Sequence, residues 1–157
     1  MNTGEPERLP LPGEASRLQV HGTAVAIEGQ GVLLRGPAGA GKSDLAWRLI
    51  EAGAVLIADD LCEIRRQSDH LVIDLPAAVD PRFRGCIERR GLGIMTVPWF
   101  GPAALALVAD LAAGASAAKA PETVELLGLV LPLAVLDPFS PSAIPFLHRM
   151  ALPQLVD

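Results

Sequence analysis

The chain has 157 residues, of which 50% are hydrophobic and 20% charged, and 18 acidic against 13 basic residues give a formal net charge of −5. This length and composition predict one domain with a substantial hydrophobic core rather than a disordered polypeptide. The acidic balance, the 4% aromatic content and the absence of tyrosine argue against a basic nucleic-acid-binding face and against an aromatic platform for single strands.

The first 17 residues are rich in proline, glycine and glutamate, and we expect a flexible lead-in to a single domain over residues 18–157. They lack a basic segment followed by an apolar one, which argues against a signal peptide. No uncharged apolar run reaches the roughly 18 residues that a membrane span requires. Two cysteines, Cys62 and Cys86, are too few for a disulfide framework, which favours reduced thiols in a cytoplasmic protein.

The pattern of the domain begins with strands and one helix. Val20–Ile27 and Gly31–Arg35 predict strands, and Ser43–Ala52 predicts a helix with its leucines on one face. The apolar run Ala54–Ala58 predicts another buried strand. Together they predict a βαβ unit in a parallel sheet covered on both faces.

The rest of the chain predicts shorter, strand-rich structure. We expect a hairpin at residues 63–66 and 71–73, strands at 86–88, 105–108 and 124–127, and a short helix at 145–150. The predicted fold class is therefore α/β, with more strand than a plain doubly wound fold contains.

A glycine-rich loop matches the pattern G-x-x-x-x-G-K-[ST] at every fixed position. Its glycines allow successive backbone N–H groups to turn toward a phosphate. The lysine would reach the β- and γ-phosphate oxygens, and the serine hydroxyl would ligate Mg²⁺. The following helix adds its positive N-terminal end. We therefore predict a nucleoside triphosphate site formed by Gly36, Pro37, Ala38, Gly39, Ala40, Gly41, Lys42 and Ser43.

Two adjacent carboxylates, Asp59 and Asp60, follow the apolar strand after this helix. Ligands of open α/β sheets bind at the carboxyl ends of the strands, and consecutive strand residues point to opposite sides. We expect one carboxylate to face the metal and the other the incoming hydroxyl group. Taken alone, the pair is also compatible with a solvated acidic turn.

The segment I-E-R-R-G-L-G at residues 87–93 makes the pattern more specific. In this order, His21-Gly22, the loop 36–43, the A-D-D of residues 58–60 and this segment resemble the catalytic domain of HPr kinase/phosphorylase. The resemblance extends from about residue 21 to residue 100. It implies a P-loop kinase domain with a mixed, strand-rich sheet, of the HPr kinase and PEP carboxykinase-like type.

The resemblance also implies an activity. Members of the family transfer a phosphoryl group from ATP, or in some cases from pyrophosphate, to a serine of the phosphocarrier HPr, and can remove it by phosphorolysis. The implied partner is HPr or its nitrogen-branch counterpart in the phosphotransferase system, and the implied cofactors are ATP and Mg²⁺. A homo-oligomer is compatible with the resemblance, and nucleic acid and membrane are not implied as partners.

Catalytic roles carry over residue by residue from the resemblance. Lys42 is the phosphate-binding lysine, and Asp60 accepts the serine proton in the forward reaction and returns it in reverse. Asp59 is its acidic neighbour near the metal. His21 matches the family's active-site histidine, and Arg90 matches the arginine of its signature segment. Without the resemblance, His21 is also compatible with an ordinary residue at the end of a strand.

The same resemblance implies that Ser43 and Glu88 ligate Mg²⁺, with Asp59 close to the ion. This set suits phosphoryl transfer, which needs alignment and charge neutralisation more than covalent help from the protein.

Two departures from the family pattern modify the expectation. The short segment before His21 leaves no room for the N-terminal domain of full-length members, which predicts a short, stand-alone form. Residues 131–142 contain no arginine where the family has an arginine-rich loop, which predicts weak phosphorolysis. Two other functions stay open: a small-molecule P-loop kinase or NTPase, and a nucleotide-binding sensor with reduced catalysis.

Overall fold

The computed structural model describes residues 16–115 and 122–152, in which a mixed sheet carries two helices. The helices are α1 (Lys42–Glu51) and α2 (Ala143–Ala151), and Pro81–Phe83 form a single 3₁₀ turn. Most of the predicted lead-in, residues 1–17, lies outside the described part of the chain. The strands are β1 (Arg17–His21), β2 (Thr23–Ile27), β3 (Gln30–Arg35), β4 (Val55–Ala58), β5 (Leu61–Gln67), β6 (His70–Asp74), β7 (Cys86–Arg89), β8 (Gly93–Thr96), β9 (Ala103–Leu111), β10 (Glu122–Leu126) and β11 (Leu129–Leu136).

The main sheet has nine strands in the order β1-β5-β6-β9-β3-β2-β4, and β11 joins it through β9 and carries β10 on its other side. The pairs β3–β9 and β9–β11 are parallel, and the other pairs of this sheet are antiparallel. Strands β7 and β8 form a separate antiparallel hairpin. The predicted fold class, α/β with a mixed, strand-rich sheet, is confirmed.

The predicted βαβ unit in a parallel sheet was wrong in its pairing. β3 and β4 are joined through α1, but β2 lies between them and pairs antiparallel with both. Glu28 and Gly29, with φ of 48° and 84°, form the tight turn that brings β2 against β3. Such a short hairpin closes at low entropic cost. β2 therefore pairs with the edge of β3 that β4 would occupy in a plain βαβ unit.

The predicted strand Val20–Ile27 is divided at Gly22. A β-carbon at Gly22 would lie 2.7 Å from the carbonyl oxygen of Leu34, so only glycine fits this close approach. Before it, β1 pairs with β5, and after it, β2 pairs with β3 and β4. The division brings His21 to the end of a strand.

The predicted later elements are present, and two strands were missed. The hairpin at residues 63–66 and 71–73 corresponds to β5 and β6, and α2 contains the predicted late helix. The predicted strands 86–88 and 105–108 lie within β7 and β9, and the predicted strand 124–127 overlaps β10 but extends one residue beyond it. β8 was missed. β11 was missed as well, because its Pro132 weakens the strand pattern; in the structure Pro132 pairs with the partner strand β10. Within the described ranges, no helix is both long and apolar enough to cross a membrane.

The core consists of two clusters on opposite faces of the sheet. β2 shows the alternation, because Val25 and Ile27 belong to one cluster while Ala24 and Ala26 belong to the other. Both helices pack on the first cluster. The second is formed by strand residues and by Leu75 after β6. β2 contacts β5 and β4 contacts β6, although neither pair is adjacent in the sheet, so the sheet folds over to bury this cluster. Both faces of β2 and β3 are therefore covered, which fixes the position of the loop that follows β3.

Candidate active site

The glycine-rich loop connects the end of β3 to the start of α1. Gly39 and Gly41 have φ of +83° and +97°, a left-handed backbone that side chains with a β-carbon disfavour. Lys42 folds back over the loop, and its Nζ donates to the carbonyl oxygens of Gly36 at 2.6 Å and Pro37 at 3.1 Å. The loop thus combines a helix N-terminus with a lysine ammonium group, which is the arrangement of an anion site.

Asp59 is the centre of the hydrogen-bond network beside the loop. Its Oδ1 accepts bonds from the hydroxyl groups of Thr23 at 2.8 Å and Ser43 at 2.9 Å. Its Oδ2 accepts a bond from the backbone N–H of Glu88 at 3.0 Å. The carboxylate therefore links β2, the first turn of α1 and β7, and it holds the Ser43 hydroxyl at the mouth of the loop.

Asp60 has a different environment from its neighbour. It is exposed and has φ of +75°, and within the described residues its carboxylate has no hydrogen-bond partner. Its carbonyl oxygen accepts a bond from the Gly22 N–H at 3.1 Å, so exposed His21 lies one residue from this contact. The structure thus brings Asp60 and His21 to the same edge.

The reason given for the separation of the two carboxylates was wrong. β4 ends at Ala58, and Asp59 and Asp60 lie in the bend after it, so strand alternation does not apply. The left-handed backbone at Asp60 and the hydrogen bonds of Asp59 separate them instead. Among the described residues, the Asp59 carboxylate has three hydrogen-bond donors and the Asp60 carboxylate has none.

The hairpin β7–β8 carries the remaining predicted site residues. Glu88 is exposed, and its backbone contact with Asp59 places it beside the acid pair. Arg90 is exposed in the turn, and in the described part of the chain it forms no hydrogen bond with another predicted site residue. The preceding Arg89 packs instead on α1, where its guanidinium carbon lies 4.8 Å from the centroid of the Trp47 ring. This contact attaches the hairpin to the phosphate-loop helix.

A buried thiol lies behind the acid pair. Cys62 is fully buried, and its Sγ lies 3.5 Å from the carbonyl oxygen of Gly22. Burial first, and then the negative charges of Asp59 and Asp60, raise the pKa of the Cys62 thiol to about 12. The thiol is therefore protonated at neutral pH and has no role as a nucleophile.

Sequence reasoning missed Thr23. This threonine is 1% exposed, in a strand whose five residues are all buried. A polar residue at such a position needs a hydrogen-bond partner, which was the available signal. The pattern does not identify the partner, because Asp59 follows a different strand.

The oxygen atoms around Ser43 suit a hard divalent cation. The Ser43 hydroxyl and the Asp59 carboxylate are in direct contact, and Glu88 adjoins them. No group of three or more acidic, histidine or cysteine side chains in the described residues could enclose a metal ion. Mg²⁺ commonly uses one or two protein oxygens together with phosphate oxygens and water, so this set fits Mg²⁺ delivered with a nucleotide.

Comparison with known proteins agrees with the geometry. The family model described as the HPr Serine kinase C-terminal domain matches residues 14–111. The HPr kinase/phosphorylase of Caldicellulosiruptor bescii is 44% identical over 84 residues, which are 53% of this chain and 26% of that protein. Its counterpart from Lachnoclostridium phytofermentans is 41% identical over 83 residues, with the same two shares. The chain thus matches about a quarter of the length of these curated relatives.

A solved structure shows the same fold over most of the chain. The structure of the Hpr(Ser) kinase/phosphatase from Coxiella burnetii superposes with a TM-score of 0.71 and 22% sequence identity, and the match covers 85% of this chain and 93% of that one. At this identity the match supports the fold, while the family model supports the relationship. Since that model covers more than half of the residues and includes the phosphate loop, the acid pair and the β7 segment, the chain belongs to the family of the HPr Serine kinase C-terminal domain.

Proposed function

We propose that this chain transfers the γ-phosphoryl group of ATP to a serine hydroxyl of an HPr-like phosphocarrier protein. One observation carries the proposal: at the end of β4, Asp59 holds the Ser43 hydroxyl while Asp60 leaves a free, exposed carboxylate next to it. An enzyme that phosphorylates a hydroxyl group needs both a phosphate anchor and a nearby proton acceptor. The family relationship supports HPr as the acceptor protein.

The phosphate loop supplies the donor site. Its backbone N–H groups and the N-terminus of α1 are suited to the phosphates of ATP. Lys42 presently bonds the carbonyl oxygens of Gly36 and Pro37, and phosphate oxygens would replace these neutral acceptors. The lysine charge then opposes the charge that develops on the transferred group.

Ser43, Asp59 and Glu88 are the residues proposed to hold Mg²⁺. When bound, the ion would offset the negative charge of the nucleotide phosphates. The chain's own contribution is to keep the ligands in place: Thr23 and the Glu88 N–H orient the Asp59 carboxylate before a nucleotide arrives. The ligands are thus positioned by hydrogen bonds among three different elements.

The acceptor side is formed by Asp60 with His21 near it. Asp60 accepts the proton of the attacking serine hydroxyl, and in the reverse direction it returns the proton to the serine oxygen. His21, at the same edge as Asp60, and Arg90, exposed in the β7–β8 turn, are proposed to contact the phosphorylated serine. We expect the forward reaction to exceed phosphorolysis, because residues 131–142 contain no arginine to hold an attacking inorganic phosphate.

The test is transfer of labelled phosphate from γ-labelled ATP to purified HPr in the presence of Mg²⁺. We expect acid-stable phosphoserine on HPr and none on an HPr whose acceptor serine is replaced by alanine. Asp60→Asn should reduce transfer about 10²- to 10⁴-fold, the range for loss of a general base, and leave ATP binding within twofold. Asp69→Asn, in the exposed turn between β5 and β6, is the matched control and should retain full transfer.

Two outcomes would contradict the proposal. Label found on a small molecule, with none on HPr, would indicate the small-molecule kinase. ATP binding without any transfer, in the parent chain as in Asp60→Asn, would indicate the nucleotide-binding sensor. Lys42→Ala separates binding from chemistry, because it should weaken ATP binding itself.

A further inference from the structure

An aromatic ring lies at the rim of the phosphate loop without belonging to the core. Phe139 is 61% exposed, although it sits directly against the loop. A β-carbon built on Gly41 would lie 3.1 Å from the ring Cζ of Phe139 and 3.4 Å from Cγ of Pro138. Exposing a large apolar ring to water is unfavourable, but single exposed apolar residues are common on protein surfaces. The exposure of Phe139 is therefore uninformative by itself, and the informative observation is its position against Gly41.

The ring is held in place by a network that connects it to α1. Asp137 accepts a hydrogen bond from the backbone N–H of Phe139 at 2.9 Å. The Arg48 guanidinium donates to the carbonyl oxygen of Pro138 and is paired with Asp44 at 3.1 Å. The segment after β11 is therefore attached to the same helix that begins the phosphate site.

Phe139 and the acid pair lie on different sides of that helix. At 3.6 residues per turn, Arg48 points about 140° around the axis from Ser43, and Ser43 faces Asp59. The lysine and serine of a phosphate loop hold the β- and γ-phosphate end of a nucleotide. The nucleoside must therefore extend from the loop on a side other than the acceptor side, and Phe139 lies on a different side of α1 from Asp59.

We propose that Phe139 stacks on the base of the bound nucleotide and so favours a nucleotide over an inorganic polyphosphate at the phosphate loop. This inference rests on the proposed function and deepens it, because it assigns a residue to the nucleoside part of the donor. Every base has a π-face, so a single ring recognises a base without distinguishing strongly among bases. ATP and GTP should bind alike, and both more tightly than the tripolyphosphate that lacks a nucleoside.

The experiment compares the binding of ATP and of inorganic tripolyphosphate by calorimetry at constant Mg²⁺. Phe139→Ala should weaken ATP binding about 5- to 150-fold, the range for loss of one base–aromatic stack, and change tripolyphosphate binding less than twofold. Phe139→Leu keeps apolar bulk against Gly41 without an aromatic face and should behave like Phe139→Ala. Phe139→Trp should retain ATP affinity, and ATP but not tripolyphosphate should quench the added fluorescence.

Controls separate stacking from support of the loop. Phe83→Ala removes a ring of similar exposure, 50%, that follows β6 rather than β11, and it should change neither affinity. Equal loss of both ligands in Phe139→Ala would show that the ring only supports the loop and would overturn the inference. Unchanged ATP affinity in both Phe139→Ala and Phe139→Leu would overturn it as well.

The outcome is distinguishable from failure of the proposed function. Selective loss of ATP binding in the Phe139 variants, with no label reaching HPr from the parent chain, would leave base stacking established and refute the phosphocarrier as acceptor. Transfer to HPr that uses ATP and pyrophosphate equally and is unaffected by the Phe139 variants would support the phosphocarrier as acceptor and refute base stacking. Lys42→Ala should weaken both ligands, which verifies that the assay reports on the phosphate loop.

Discussion

Replacing Thr23 with valine tests whether one buried hydroxyl group orients the carboxylate at the centre of the candidate site. Thr23 is 1% exposed, and its hydroxyl group donates to Asp59 at 2.8 Å. Valine has nearly the same shape, so the substitution removes the donor without opening a cavity. The free energy of unfolding then reports chiefly on the hydrogen bond.

The magnitude follows from the charge and the surroundings of the acceptor. A hydrogen bond to a charged group contributes about 1.5–3 kcal/mol. Asp59 keeps the Ser43 hydroxyl and the Glu88 N–H as donors and is only half-buried, so water replaces part of the lost bond. We therefore expect a loss near the lower limit, about 1.5 kcal/mol. For a domain of this size that corresponds to a fall in Tm of about 3–6 °C.

The assay is a double-mutant cycle of Thr23→Val and Asp59→Asn, measured by urea unfolding. Residues in direct contact show coupling energies of about 0.5–3 kcal/mol, and we expect about 1 kcal/mol or more for this pair. Asp69→Asn, whose carboxylate side chain is 94% exposed, provides the control pair and should be additive with Thr23→Val. Coupling below about 0.5 kcal/mol between Thr23 and Asp59 would refute the reasoning.

Three further predictions concern stability and reactivity. Because burial raises the pKa of Cys62 to about 12, iodoacetamide should not modify this thiol at pH 8 in the folded protein and should modify it in urea, as mass spectrometry would detect. Because the pKa of Cys62 is higher in the folded protein than in the unfolded chain, its contribution to the free energy of unfolding is complete below about pH 9 and is lost as pH rises toward 12. Cys62→Ala should therefore flatten the dependence of the free energy of unfolding on pH in this range. Asp74→Asn breaks a bidentate pair between Asp74 and Arg84, whose side chains are only 13% and 20% exposed. It should lower the free energy of unfolding by about 2–4 kcal/mol, as thermal unfolding would measure. Asp80→Asn, in an exposed pair with Arg82, should lower it by less than about 1 kcal/mol, and equal losses in the two variants would contradict this. Gly22→Ala places a β-carbon against a backbone oxygen and should lower Tm by several degrees in a thermal melt, while full stability in this variant would show that the close approach is not required.

Much of the site could be predicted because its main parts are contiguous in sequence. The phosphate loop is a single run of residues whose glycines, lysine and serine have local functions. The β7 segment and the acid pair are likewise short, and their order along the chain is itself informative. The roles assigned to His21, Asp60, Glu88 and Arg90 stay predictions, and the structure reports only their positions. The explanation for the separation of the two carboxylates could not be predicted, because it depends on a left-handed backbone at one residue.

Pairing of the strands could be predicted only where a short turn joins the partners. The hairpin of β5 and β6 was predicted, since its strands are separated only by Ser68 and Asp69. The insertion of β2 between β3 and β4, and the parallel pairing of β3 with the distant β9, were not. An apolar strand pattern shows that a segment is buried but not which neighbour it pairs with.

By itself the sequence determined the presence of a glycine-rich loop with the G-x-x-x-x-G-K-[ST] pattern and of a helix after it, because backbone freedom, charge and hydrophobic period are properties of neighbouring residues. It also determined the family relationship, through motifs spaced along the chain. The tertiary structure alone decided that Thr23 bonds Asp59 and that Phe139 lies against Gly41. These contacts join residues far apart in the chain, and they form only when the packing of the whole sheet stabilises one arrangement over its competitors.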